Sequence, residues 1–87
     1  MYAILFETRV EKEYRDLPRE ILKRMDAKIQ ALRNDPRPSG VKKLLGKKGE
    51  GWRLKVGNYR LLYRIDDEKK TVTIYRIKHR KEVYQLM

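Results

Sequence analysis

Apolar and polar positions alternate most regularly at 52–56, where Trp52, Leu54 and Val56 take one phase and Arg53 and Lys55 the other. Successive side chains of a strand point to opposite faces, so this phase predicts a strand with an apolar inner face and a cationic outer one. Gly57-Asn58 predicts a turn, after which Arg60 lies in a second apolar-rich run over 59–65. The polar stretch 66–70 predicts another turn, and a third strand follows over 71–78. Val72 and Ile74 keep the alternation there but Ile77 breaks it, which predicts a bulge or a change of facing near Tyr75.

The N-terminal half has a different period. Residues 2–6 form a strand-length apolar run with Tyr2, Ile4 and Phe6 in one phase. Thr8 and Glu11 have the spacing of a capping box, opening a helix with Val10, Tyr14 and Leu17 on one face. Pro18 ends that helix and suits the first turn of the next. The second helix is expected over 19–33, with Ile21, Met25, Ile29 and Leu32 as its apolar stripe, widened by Leu22. Lys23, Lys28 and Gln30 lie opposite. Glu11, Glu13 and Glu20 read as helix-surface charges. Residues 34–40 are a loop rich in turn formers, and 41–51 read as a mobile basic segment anchored by Leu44 and Leu45.

The order is therefore β-α-α-β-β-β in one domain spanning 1–87. Strands joined by short turns are antiparallel. The expected fold is α+β: a small antiparallel sheet, mixed at its edge, packed on an N-terminal two-helix hairpin, with the other sheet face at least partly open.

Charge changes this picture from a fold to a surface. Residues 1–41 carry 9 Lys+Arg against 7 Asp+Glu, whereas 42–87 carry 14 against 5, so most of the net charge of +11 sits in the second half. Such asymmetry suits a polyanion-binding surface. The chain has no cysteine, which excludes disulfides, thiolate metal sites and a cysteine nucleophile. Asp66 and Asp67 read as a turn rather than a metal pair, and no metal or cofactor is implied. No apolar run approaches the ~18 residues of a membrane span and no signal peptide is evident, so the expected location is the cytoplasm.

Near the end, His79-Arg80-Lys81-Glu82-Val83-Tyr84 adds the only histidine and a tyrosine to the cations. Arg, Lys, His and Tyr with little acid suit a phosphodiester. Cleaving RNA through its 2′-hydroxyl requires that hydroxyl to be deprotonated, a phosphorane to be stabilised and the leaving 5′-oxygen to be protonated. Arginine suits the second task through its planar fork, His or a carboxylate usually serves as acid or base, and a lysine crowded by like charge can serve as base. Trp52, Tyr59 and Tyr63 share the apolar phase and read as core aromatics rather than base-stacking platforms.

The order of elements, the run Arg53-Leu-Lys-Val-Gly-Asn-Tyr-Arg-Leu-Leu-Tyr-Arg-Ile65 and the closing His79-Arg-Lys-Glu-Val-Tyr84 resemble the RelE/ParE toxin superfamily of type II toxin–antitoxin systems. The resemblance spans almost the whole chain. It implies a RelE-like ribosome-dependent endoribonuclease (an mRNA interferase) that cuts mRNA in the ribosomal A site, without metal, and so inhibits translation. Carried over, the catalytic set falls on Arg53, Lys55, Arg60, His79, Arg80 and Tyr84, with the late basic position at Lys78 by ungapped counting and Arg80 as the nearby arginine. Lys42, Lys43, Lys47, Lys48, Arg64, Lys78 and Lys81 are the implied RNA-binding residues. Implied partners are an acidic RelB-like antitoxin in a hetero-oligomer, the ribosome, mRNA and rRNA, with no membrane. Two alternatives remain: a ParE-type toxin that inhibits gyrase without catalysis, and a non-toxic basic nucleic-acid-binding module.

Overall fold

The alternating run at 52–56 becomes an inner strand of a five-stranded sheet. The structure is a computed structural model that describes residues 1–44 and 51–82. Its elements are β1 (Ala3–Phe6), α1 (Thr8–Arg15), α2 (Arg19–Ala31), β2 (Lys42–Leu44), β3 (Gly51–Val56), β4 (Tyr59–Asp66) and β5 (Thr71–His79). The sheet order is β1-β5-β4-β3-β2. β1 runs parallel to β5, and every other pairing is antiparallel. The α+β expectation with a mixed edge therefore stands.

Three details differ from the sequence reading. β2 occupies part of the segment read as mobile and basic; three residues, two of them lysines, carry no alternation to read. Leu45, Lys47 and Lys48 lie outside the described residues. The cap of α1 is Glu7 rather than Thr8, and no side-chain capping bond forms. The Glu7 carboxylate is drawn instead to Arg64, with Arg9 at 3.9 Å. Finally, α2 ends at Ala31, two residues earlier than its pattern suggested. Its start is as expected: Pro18 is the N-cap and its carbonyl accepts from the Leu22 N–H at 2.8 Å.

The bulge near Tyr75 is present. Leu62 pairs with Arg76 but Tyr63 pairs with Ile74, leaving Tyr75 as the extra residue on β5. The inserted residue resets the alternation, so Val72, Ile74 and Ile77 all reach the core. Val10 of α1 and Leu17 just beyond it, and Met25 and Ile29 of α2 with Leu32 just beyond that helix, meet Leu54, Val56, Leu61 and Tyr63 there. The buried Tyr63 hydroxyl donates to the Pro36 carbonyl at 2.7 Å. Burial pushes its phenol far above the usual tyrosine range.

The same end of the molecule is tied by Asp67, which accepts from the Arg37 guanidinium at 2.8 Å and from the Tyr2 hydroxyl at 2.6 Å. Arg37, then Tyr2, hold the Asp67 carboxyl below its ordinary 3.8. A depressed carboxyl stabilises the folded state above its unfolded value and loses that contribution as pH falls through the folded value. Asp67→Asn is therefore expected to flatten the fall of melting temperature between about pH 5 and pH 2. An unchanged slope would show that the pair contributes nothing to acid stability.

β1 pairs only with residues Thr71 to Ile74 of β5. Beyond that point α1 replaces it along the strand edge. Arg9 Nε donates to the Tyr75 carbonyl at 3.3 Å, and the Ile77 N–H donates to Glu13 Oε1 at 2.9 Å. Side chains of a helix thus finish the ladder that a longer β1 would have made.

Candidate RNA-cleaving site

Hairpin register places the cations. Lys42 lies opposite Arg53 across β2–β3, Lys55 opposite Arg60 across β3–β4, and Arg60 opposite Lys78 across β4–β5. Directly opposed side chains share a sheet face with Cβ atoms about 5 Å apart. Alternation sets this face against the one built from Leu54, Val56 and Leu61. Gly40, Lys42, Arg53, Lys55 and Arg60 line a cavity of about 240 Å³ on it.

Arg60 is held more firmly than its neighbours. It is only 7% exposed, and its Nη1 donates to the Gly57 and Tyr59 carbonyls at 3.2 and 3.0 Å. Gly57 has φ +59°, as the first central residue of a tight two-residue hairpin turn requires. The turn thus fixes the guanidinium beside Lys55 and Lys78. Among the described residues, Lys42, Arg53, Lys55 and Arg60 make no ion pair.

Like charges directly opposite each other destabilise a sheet. Three such pairs share this face, so the cluster opposes folding rather than serving it. Lys55→Thr is accordingly expected to stabilise the protein by about 0.2–1 kcal/mol, through lost repulsion and a better strand former. Its urea midpoint should rise; a lower midpoint would mean that Lys55 is not repelled.

The structure separates residues that the sequence grouped. Lys78 lies in register with Arg60 on the cationic face. His79 pairs with Tyr59 on the opposite, helix-covered side. Its ring meets Tyr59 edge-on at 5.4 Å, and its Nδ1 accepts from the Lys81 N–H at 3.3 Å. Arg80 opens a helical turn over 80–82, with its N–H donating to the Asn58 carbonyl at 2.7 Å; Arg80 and Lys81 are exposed beyond the strand end. Tyr84 lies outside the described residues. Arg64 shares the phase of Arg60 but pairs with Glu7 and stacks over Tyr75 at 4.7 Å. Lys43 sits 5.8 Å from the Trp52 ring, in the other phase.

Sequence reasoning missed Glu13. Read as a surface charge, its side chain is only 13% exposed and reaches Arg76 and Lys78 on β5. Its spacing from Val10 and Leu17, three and four residues, placed it on the inner face of α1 all along.

Comparison with known proteins follows the same lines. Residues 4–84 match the family described as the ParE toxin of the type II toxin–antitoxin system parDE. Toxin RelG of Mycobacterium tuberculosis is 35% identical over 85 residues, covering 97% of each chain. The archaeal RelE–RelB complex from Pyrococcus horikoshii superposes with TM-score 0.80 at 26% identity, over 91% of this chain and 94% of that one. The E. coli RelBE toxin–antitoxin complex superposes with TM-score 0.78 at 27% identity, over 91% and 96%. With this match along nearly its whole length, the chain belongs to the RelE/ParE superfamily and is a toxin of a type II toxin–antitoxin system.

Proposed function

We propose that this toxin is a ribosome-dependent endoribonuclease that cuts mRNA through the 2′-hydroxyl of the nucleotide before the scissile phosphate. The observation that carries the reading is the cation row Lys55–Arg60–Lys78, built across three strands, in which Lys55 and Arg60 make no ion pair among the described residues. Lys55, in its neutral form, takes the proton of the 2′-hydroxyl. The 2′-oxygen attacks phosphorus and the bond to the 5′-oxygen breaks, leaving a cyclic phosphate and a 5′-hydroxyl. Arg60, held by the turn carbonyls, meets the extra negative charge of the phosphorane. The Lys78 ammonium gives its proton to the departing 5′-oxygen. Arg53 and Lys42 bind the flanking phosphates, and Tyr84 supplies a stacking surface for a splayed base. No step calls for a metal or cofactor.

Its partners in this reading are the ribosome with its mRNA and rRNA, and a RelB-like acidic antitoxin that silences it in a cytoplasmic hetero-oligomer. The relatives crystallised as toxin–antitoxin complexes support that assignment.

A second reading is favoured by one finding: the matching family is described by ParE rather than RelE. In it the cations bind gyrase and no bond is cut. Primer extension on cellular mRNA after brief induction separates the two. Cuts within translated codons support cleavage; intact mRNA with altered plasmid supercoiling supports gyrase inhibition and overturns the proposal.

A further inference from the structure

We propose that Glu13 is a positioning residue for the reaction: it holds the Lys78 ammonium beside Arg60. This inference rests on the endoribonuclease reading. Glu13 lies on α1, away from the cationic cavity, yet its carboxylate is engaged entirely with the last strand. Oε1 accepts from the Ile77 N–H at 2.9 Å, where β5 has no further strand beside it. Oε2 lies 3.1 Å from Lys78 Nζ and 3.2 Å from Arg76 Nε. The Arg76 contact is one of charge alone, since that buried nitrogen has no aligned hydrogen bond.

Lys78 has four rotatable bonds and three like-charged surroundings to escape: Arg60 across the ladder, Arg76 on its own strand and Lys55 one strand further. Left alone, its ammonium would swing outward to water. Glu13 holds it, and Glu82, four residues on, also approaches Nζ, at 3.5 Å. Glu13 is the more buried of the two, at 13% against 54% exposed, so it fixes the geometry. A carboxylate that also grips the strand backbone sets where the ammonium can be, as the orienting acid of a catalytic triad does for its histidine.

Glu13→Gln separates this role from a merely structural one. The amide oxygen can still accept from Ile77 N–H, but the charge facing Lys78 is gone. The assay is primer extension with purified protein on ribosomes programmed with a defined mRNA, for the wild type, Glu13→Gln, Lys78→Met and the double variant. Misplacement of a reacting group is expected to slow cleavage by about ten- to a hundredfold in Glu13→Gln. In the Lys78→Met background the same change should cost nothing more. An equal loss in both backgrounds would assign Glu13 to structure alone and overturn the inference. So would full activity of Glu13→Gln, while cleavage by the wild type upheld the endoribonuclease reading. A wild type that cuts no mRNA on ribosomes removes that reading, and the inference with it. Should the amide variant melt below the assay temperature, Glu13→Asp reads the same cycle with the charge kept but drawn back.

Discussion

Arg60→Ala is expected to reduce the proposed mRNA cleavage by 10²–10³-fold, because in that reaction it removes a preorganised guanidinium that meets the phosphorane charge; a lost donor of this kind costs about 2.7–4 kcal/mol. The fold should survive. Two hydrogen bonds from Nη1 to the turn carbonyls are lost, but those carbonyls sit at a hairpin end where water can replace the donor. Repulsion from Lys55 and Lys78 is relieved at the same time. A cooperative thermal melt within a few degrees of the wild type, with cleavage and growth inhibition both gone, is the expected pair of results. Arg60→Lys tests the fork itself. It keeps the charge but cannot donate to a turn carbonyl and two phosphorane oxygens in one plane, so it should recover only a small part of the rate. Full toxicity of a folded Arg60→Ala variant would remove Arg60 from the mechanism.

That expectation could be framed from sequence because a hairpin is a local object. The alternation of Trp52, Leu54 and Val56 with Arg53 and Lys55, and the Gly57-Asn58 turn, set which residues face each other across β3 and β4. The broken phase at Ile77 likewise located the bulge at Tyr75. Legibility stops where chemistry depends on elements distant in the chain. His79 and Lys78 are neighbours in sequence, and no local rule says which of them faces Arg60; the register of β5 on β4 decides it, and puts His79 on Tyr59. Glu13 and Ile77 are 64 residues apart, joined only because β1 is too short to cover β5. β2 escaped for another reason: three residues are too few to show a period, and its strand character comes from pairing with β3.

The β2–β3 end is also where a single methyl group should do most harm to the fold. Gly51→Ala is expected to destabilise the protein by about 2–5 kcal/mol, combining strain at an unfavourable backbone angle with overpacking. Gly51 has φ +93°, a region that residues with a Cβ rarely adopt, and it opens β3 opposite Leu44 of β2. A Cβ there would lie 2.2 Å from the Tyr63 carbonyl oxygen, 3.1 Å from its carbonyl carbon and 3.3 Å from Arg64 Cα. All three are backbone atoms of the central strand β4, so no rotamer change can clear them. Tyr63 is itself fully buried and hydrogen-bonded to Pro36, so the strand cannot retreat into the core. β3 must instead lift at its start, loosening Arg53 and, through their pairing, Lys42. Gly40 is the control: its φ is +88°, but a Cβ there meets nothing within 4 Å. Gly40→Ala therefore carries backbone strain alone, about 1–3 kcal/mol. Chemical denaturation of the two variants separates the contributions, and Gly51→Ala should be the less stable of the pair by at least about 1 kcal/mol. The proposed cleavage should slow as well, since Lys42 and Arg53, two of the cations lining the cavity, lose their anchorage. Equal stability of the two variants would mean that β3 does not approach β4 as closely as this geometry requires.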